Sequence, residues 1–299
     1  MSPDLHDPDT KSILETACGR VGLDCARSEL LRLGENAIYR LPGGVIARIS
    51  RPGQRTAAQR EVDVSRWLEM SSIPAVQLIS GREQPVVVDD RAVTFWKELP
   101  PHRHGTSSEV AAVLKRLHTV APPTSFTLGE VSPFVRLDER IGAATVLSDD
   151  DRRWMYRHLT ELQQRWTELP EGLPWCVIHG DAWVGNVVAT DTGQVILLDL
   201  ERTSIGPPEW DLVHTAIKWL SFGWITEVDY QRFSTTYGHD VTAWPGFELL
   251  RDIREFRMTT MALQTASVQP RWQAQAALRL RSIQGARGPR PWSEWQALA

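Results

Sequence analysis

The sequence predicts an α+β protein of two lobes: a small antiparallel sheet carrying one helix, then a larger and mainly helical lobe. Three observations predict it. Strand-like runs crowd into the first hundred residues, and the Pro-, Gly- and Ser-rich segment LPPHRHGTSS (99–108) follows them. Helical periodicity then dominates, broken once by a β-like stretch at 175–201. The boundaries read from this pattern are 1–98 for the first lobe, 99–105 for a hinge and 106–299 for the second.

Taken in order, residues 1–10 hold two Pro and three Asp and read as a loose tail. Ile13, Leu14, Ala17 and Val21 recur at helical spacing over Lys11–Leu23, ended near Gly22. SELLRLG (28–34), NAIYRL (36–41) and GVIARIS (44–50) read as strands, and the turn Pro42-Gly43-Gly44 joins the last two as a hairpin. A helix is expected over Ala57–Met70, then strands at 85–90 and 91–99. Thr106 or Ser107 caps a helix reaching about Val120, with Val110, Val113, Leu114 and Leu117 on one face. The tail RGPRPWSEWQALA reads as a docked or loose end.

Bulk properties exclude several classes. The chain is 42% hydrophobic and 23% charged with a formal net charge of −4, so charge favours neither a nucleic acid nor a membrane surface as partner. Cys18, Cys25 and Cys176 form no CxxC pair, which argues against a disulfide framework or a cysteine metal site and points to a reducing cytoplasm. There is no cationic leader followed by an apolar run, and no stretch of the ~18 apolar residues a membrane span needs. The expectation is a soluble cytoplasmic protein, a monomer or a homodimer.

The strongest chemical signal is His179-Gly180-Asp181, then Asn186, then an apolar strand ending in Asp199. Transfer of a phosphoryl group needs positioning and charge neutralisation more than covalent help. One carboxylate must orient the acceptor hydroxyl and take its proton. A second carboxylate and an amide oxygen must hold Mg²⁺ on the triphosphate, since Mg²⁺ takes a few hard oxygen ligands. Asp181 and Asn186 lie five residues apart across a loop containing Gly185, which can place one side chain at the acceptor and the other at the metal. Strands Asn186–Ala189 and Gln194–Leu198, turning at Asp191-Thr192-Gly193, pair and bring Asp199 next to Asn186.

HGDxxxxN followed by an apolar strand and Asp resembles the signature of the aminoglycoside phosphotransferase family, distant relatives of protein kinases. IGPPEWDLV (205–213) also resembles the family, and the likeness covers about residues 28–260. It implies a bilobal protein-kinase-like fold and an ATP-dependent kinase of a small hydroxylated molecule, with Mg²⁺ and ATP (or GTP) as cofactors. On that likeness Asp181 is the catalytic base, Asn186 and Asp199 are the Mg²⁺ ligands, and Asp211 supports the catalytic loop from a helix start. His179 reads as a buried imidazole bonded to loop backbone, and Glu201 either approaches metal or substrate or forms a salt bridge.

A kinase-like first lobe needs a cation on a central strand and a helix carboxylate to hold it. VIAR (45–48) stands where such kinases carry V-A-x-K, so Arg48 would reach the phosphates and Glu61 on the next helix would pair with it. Arg in place of the commoner Lys keeps the charge and offers a planar fork. Strand period two puts Ile46 on the same face as Arg48, to cover adenine. Asn36, in the turn Gly34–Ala37, is the side chain placed to contact phosphate. The segment Trp96–Leu99, with Glu98 and Leu99, is the hinge that would read the adenine edge through its backbone.

The acceptor is expected to be an aminoglycoside or another sugar- or nucleoside-containing antibiotic, in a resistance or self-protection role. A metabolite kinase of the sugar, choline or homoserine type is the alternative, and a nucleotide-binding pseudokinase a further one. No activation segment like that of a protein kinase follows Asp199, and no HExxH-like spacing surrounds His102, His104 or His179. Aromatic residues are frequent after Asp199, most of them as core. Residues 201–260 carry nine Asp or Glu against six Lys or Arg, a mild acidic bias. Arg271, Arg279, Arg281, Arg287 and Arg290 then read as a solvated basic face.

Overall fold

In the computed structural model, residues 8–34 and 36–297 are described. Most of the N-terminal tail, Glu35 of the Gly34–Ala37 turn, and the last two residues lie outside that set. The chain opens with α1 (Pro8–Val21), β1 (Glu29–Leu33), β2 (Ala37–Leu41), β3 (Val45–Pro52) and α2 (Arg55–Met70). It continues through β4 (Val86–Val88), β5 (Arg91–Lys97), β6 (His102–His104), α3 (Ser107–Leu117), α4 (Leu137–Ala143) and α5 (Asp149–Thr167). Short strands β7 (Cys176–Ile178), β8 (Val187–Thr190), β9 (Val195–Leu197) and β10 (Ser204–Gly206) follow. The remainder is α6 (Glu209–Leu220), α7 (Glu227–Tyr237), α8 (Phe247–Val268) and α9 (Gln273–Ile283).

These elements form two compact units. The first takes in residues up to Gly105 together with Pro123–Thr127 and Val184–Thr203. Its main sheet has the antiparallel order β1-β2-β3-β5-β4. Gly43 and Gly44, with φ of 80° and 73°, make the tight connection from Leu41 to Val45 that only glycine enters without strain. Period-two alternation sorts β3 into two faces. Val45, Ala47 and Ile49 join Tyr39, Phe95 and the α1 residues Ile13, Leu14 and Ala17 in one buried cluster. Ile46 packs on the opposite side with Val62 of α2, Leu78 and Trp96, so Arg48 also faces α2.

The sequence reading assigned 184–203 to the second lobe, whereas the structure groups Val184–Thr203 with the first unit. Strand pairing is the reason. β8 runs antiparallel to both β6 and β9, with His104 opposite Val188, and Leu197 N–H donates to the Pro74 carbonyl at 3.0 Å.

The second unit comprises Thr106–Pro122, Leu128–Trp183 and Ser204–Ala299. Its helix α3 starts in a reciprocal cap: the Thr106 hydroxyl accepts from Glu109 N–H, and the Glu109 carboxylate accepts from Thr106 N–H at 2.7 Å. Such a box is worth about 1 kcal/mol. The face Val110, Val113, Leu114 and Leu117 is buried, and α3 packs on α7. The long helix α8 packs against α4, α6 and α9. β10 pairs antiparallel with β7, Ser204 opposite Ile178, which sets the strand that runs straight into His179.

Arg271, Arg281 and Arg287 are exposed, whereas Arg279 and Arg290 depart from a solvated face. Arg279 is buried, donates to the Met258 carbonyl and lies over the Trp295 ring at 4.9 Å. Arg290 pairs with Glu255 at 2.6 Å and lies over Trp292 at 4.4 Å. Planar guanidinium groups stacked on indoles dock the tail rather than solvate it. No helix among the described residues is long and apolar enough to cross a membrane.

Candidate active site

The second unit holds the His179-Gly180-Asp181 loop by its backbone. Pro207-Pro208 closes β10 and leads into α6, whose first turn carries Asp211. Asp211 is fully buried, and its two oxygens accept the N–H groups of His179 (2.7 Å) and Gly180 (2.8 Å). His118 of α3 adds a contact to the same carboxylate at 3.2 Å and bonds the Tyr237 hydroxyl at 2.8 Å through its other nitrogen. Burial pushes the Asp211 carboxyl up. His118 and the His179 amide outweigh it and hold the group below the usual carboxylate range. The Gly180 carbonyl accepts from Trp210 Nε1 and Arg254 Nη2, both at 3.2 Å. Gly180 sits at φ 84°, where a side chain would strain the turn. His179 is buried, and its Nδ1 accepts the Asp181 N–H at 3.3 Å.

Asp181 itself is met by two further elements. His214 Nδ1 on α6 lies 3.6 Å from Asp181 Oδ1, and Arg254 Nη1 on α8 lies 3.8 Å from it. A carboxylate this close would ordinarily favour imidazolium. Burial, followed by the charges of Arg254, Lys218 and Arg257, drives the His214 pKa well below its ordinary value, so His214 is neutral at pH 7. Its 3.6 Å contact is therefore no ion pair.

One and two turns past Asp211 on α6 stand His214 and Lys218, three and seven residues on, and thus on one helix face. Trp183 bridges them: its ring stacks on His214 at 6.4 Å, and Lys218 Nζ lies 4.6 Å from the ring centroid. Burial lowers the Lys218 pKa to about 8, against the pull of Asp181. His214, Lys218, Arg254 and Trp183 escaped the sequence reading. The Asp211/His214/Lys218 spacing was the available signal.

In the first unit Arg48 and Glu61 meet. Nη1 of Arg48 donates to both Glu61 oxygens at 2.7 Å. The Asn36 amide, turned with its oxygen to the guanidinium, accepts from Nη2 at 2.9 Å and Nε at 3.0 Å. Glu201 closes the group at 3.5 Å from Nη2, the salt-bridge arrangement of its two expected settings. Arg48 stays charged, since Glu61, Asp199 and Glu201 outweigh the burial that would lower it. Burial pushes Glu61 up to about 6 despite Arg48, with Asp199 and Glu201 adding to the rise. Arg48, Glu61, Asn36, Thr94 and Glu201 line one cavity. Glu98 is placed differently. Its N–H donates to the Gly44 carbonyl and its carboxylate pairs with Arg40 at 2.7 Å.

Asn186 and Asp199 stand at the two open ends of the β8–β9 hairpin, tied by Leu198 N–H to the Asn186 carbonyl at 2.9 Å. The Asp199 backbone lies in the left-handed region (φ 54°, ψ 68°), uncommon for a residue with a side chain. Asp199 is exposed. No group of three or more His, Cys, Asp or Glu side chains among the described residues makes an all-protein metal cage. An amide and a carboxylate instead match Mg²⁺, which keeps waters and phosphate oxygens as its other ligands.

A protein-kinase-like fold with this loop and hairpin defines a small-molecule phosphotransferase. The sequence pattern of the phosphotransferase enzyme family matches residues 34–250, and the chain belongs to that family. No curated protein matches the chain. Among solved structures, the amicoumacin kinase hAmiN is similar with a TM-score of 0.72 at 14% identity, covering 97% of each chain. The choline kinase LicA from Streptococcus pneumoniae gives 0.63 at 16% identity, over 92% of this chain and all of its own. The aminoglycoside phosphotransferase APH(3'')-Id from Streptomyces rimosus gives 0.61 at 21% identity, over 82% of this chain and 98% of its own. At these identities the likeness is one of fold.

Proposed function

We propose that this chain transfers the γ-phosphoryl group of ATP to a hydroxyl of a small molecule. The observation that carries the reading is the clamp on the catalytic loop: buried Asp211 takes the His179 and Gly180 amides, so Asp181 is presented from a fixed backbone. Asp181 orients the acceptor hydroxyl and takes its proton as the acceptor oxygen bonds to the γ-phosphorus; the bond to the β,γ-bridging oxygen breaks and ADP leaves. Neutral His214 and the Arg254 guanidinium flank the carboxylate at 3.6 and 3.8 Å. Asn186 and Asp199 would hold Mg²⁺, which supplies charge neutralisation for the triphosphate. Arg48, steadied by Glu61 and Asn36, would reach the phosphates, with Ile46 beside the adenine. The nucleotide-bound hAmiN supports an ATP-type donor.

Similar structures bear names of antibiotic kinases and choline kinases. Arg254 flanks Asp181 at 3.8 Å and Lys218 stands one turn beyond His214 on the same face of α6, which favours a sugar- or nucleoside-containing antibiotic or metabolite over a polycationic aminoglycoside. The test is consumption of Mg²⁺-ATP and Mg²⁺-GTP against a panel of such acceptors, with mass spectrometry for one added phosphoryl group. A product formed by the wild type and absent with Asp181→Asn supports the reading; wild-type turnover in Asp181→Asn removes it.

A further inference from the structure

Lys218 is an anomaly in this chain. Only four lysines occur, Lys11, Lys97, Lys115 and Lys218, and cationic positions are otherwise filled by arginine. The first three are exposed, whereas Lys218 keeps 8% exposure. Among the described residues its ammonium has no hydrogen-bond or ion-pair acceptor; it has the Trp183 ring at 4.6 Å and the charge of Asp181. Buried ammonium groups are normally paired, because leaving water unpaired is costly. Burial holds the Lys218 pKa at about 8, so at pH 7 the group is still largely charged.

The carboxylate whose charge reaches Lys218 is that of Asp181, and buried acids elsewhere on α6 and α8 hold other partners. Asp211 is committed to the loop amides and His118, and Glu255 to Arg290. Glu209 accepts the Leu173 N–H at 2.6 Å. Trp183, by contrast, is open: its ring is 38% exposed and lies against both Lys218 and His214. An exposed aromatic platform, a nearly buried ammonium without an acceptor and the Asp181 carboxylate thus meet along one face of α6.

We propose that the acceptor carries an oxyanion, a carboxylate in the simplest case, that seats on Lys218 over the Trp183 ring while its hydroxyl is presented to Asp181. This rests on the phosphotransferase reading above and adds the charge class of the substrate. Lys218 follows His214 by one turn, and His214 touches Asp181. At 1.5 Å per residue the His214 and Lys218 backbones are about 6 Å apart along the helix, so the class proposed is a small hydroxylated acid. A polycationic acceptor would place like charge on Lys218 and Arg254.

The scarcity of lysine makes the site directly observable. Protein labelled with [ε-¹³C]lysine and loaded with Mg²⁺-AMP-PNP gives four lysine signals, with Lys218 assigned by its loss in Lys218→Met. D-glucuronate, inorganic phosphate, D-glucose and D-glucosamine are titrated in turn. The expected result is that glucuronate moves the Lys218 signal and raises its titration midpoint, while glucose and glucosamine do not. A shift with inorganic phosphate but not with glucuronate assigns the oxyanion as phosphate instead. Glucuronate affinity should fall about 10- to 100-fold in Lys218→Met, the loss expected for a hydrogen bond to a charged group, and in the same direction in Trp183→Leu. A Lys218 signal unmoved by both anions, or moved equally by glucosamine, overturns the proposal. So does unchanged glucuronate affinity in Lys218→Met. Slow ATP hydrolysis without acceptor is followed on the same samples. If it persists in wild type and falls in Asp181→Asn while Lys218 stays silent, only the acceptor assignment fails. If Mg²⁺-ATP does not bind at all, the phosphotransferase reading fails with it.

Discussion

Replacing Lys218 by methionine should make the protein more stable, and the gain should vanish in alkali. The folded group titrates near 8 against an ordinary value of 10.5, so its charged form is disfavoured by burial. At about 1.4 kcal/mol per pH unit, that difference corresponds to ~3 kcal/mol of destabilisation at neutral pH. Methionine fills the same apolar path without the charge. It forfeits the contact with the Trp183 ring, worth about 1 kcal/mol. The net expectation is a gain of about 2 kcal/mol at pH 7. The sign with pH follows from proton counting. Between 8 and 10.5 the unfolded chain binds more protons at this position than the folded one, so wild-type stability rises with pH through that window. Below 8 the penalty is present in full. The variant lacks the rise, so the gap between the two proteins should narrow from pH 7 to pH 10. Denaturant midpoints at pH 7, 8, 9 and 10 measure it. A variant no more stable than wild type at pH 7, or a gap that stays constant with pH, would refute the account of Lys218 as an ammonium held against its solvation.

Three other changes bear on the same machinery. Asp181→Asn should retain Mg²⁺-ATP affinity while turnover falls about 10²–10⁴-fold, the usual contribution of a positioned general base; equal loss in nucleotide affinity would contradict that split. Asp211→Ala should destabilise the protein by about 1–3 kcal/mol by stranding the buried His179 and Gly180 amides. Because the folded Asp211 carboxyl lies below its ordinary value near 3.8, the stability it contributes is present above that value and is lost as the pH falls through the lower folded value. Acid unfolding curves of wild type and Asp211→Ala should therefore converge at low pH. Arg48→Met should raise the KM for Mg²⁺-ATP with a smaller effect on kcat, since it strands Glu61, and Arg48→Lys should recover part of the loss; indifference of KM to both changes would count against a phosphate-facing Arg48.

What could be read from the chain depended on how far apart the partners stand. Asp181, Asn186, Asp199 and Asp211 lie within one stretch of thirty-one residues, where spacing marked the first three and the family resemblance of IGPPEWDLV marked Asp211. Arg48 and Glu61 were legible because strand period two and the following helix put them on facing surfaces. His214, Lys218 and Arg254 were not, since counting charge over 201–260 sums every face of α6, α7 and α8. The count is acidic, yet Arg254 lies 3.8 Å from Asp181 and Lys218 stands one turn beyond His214. The placement of Val184–Thr203 was hidden for another reason. β8 is four residues long, and its partner β6 lies more than eighty residues upstream, so no local pattern names the pairing. Arg279 and Arg290 looked solvated because stacking on Trp295 and Trp292 is likewise a non-local fact.

The clamp on the catalytic loop has a consequence for how such an enzyme can change. Helix α6 contributes Trp210 and Asp211 and α8 contributes Arg254, all gripping the His179 and Gly180 backbone, while His118 of α3 holds the Asp211 carboxylate. The Asp181 carboxylate, which we propose as the reacting one, is thereby carried on a backbone held from outside its own loop. Lys218, nearly buried two turns further along α6, takes no part in that grip. Acceptors of different charge can in this way be accommodated by exchanging one nearly buried residue of α6, with the grip on the loop backbone left in place.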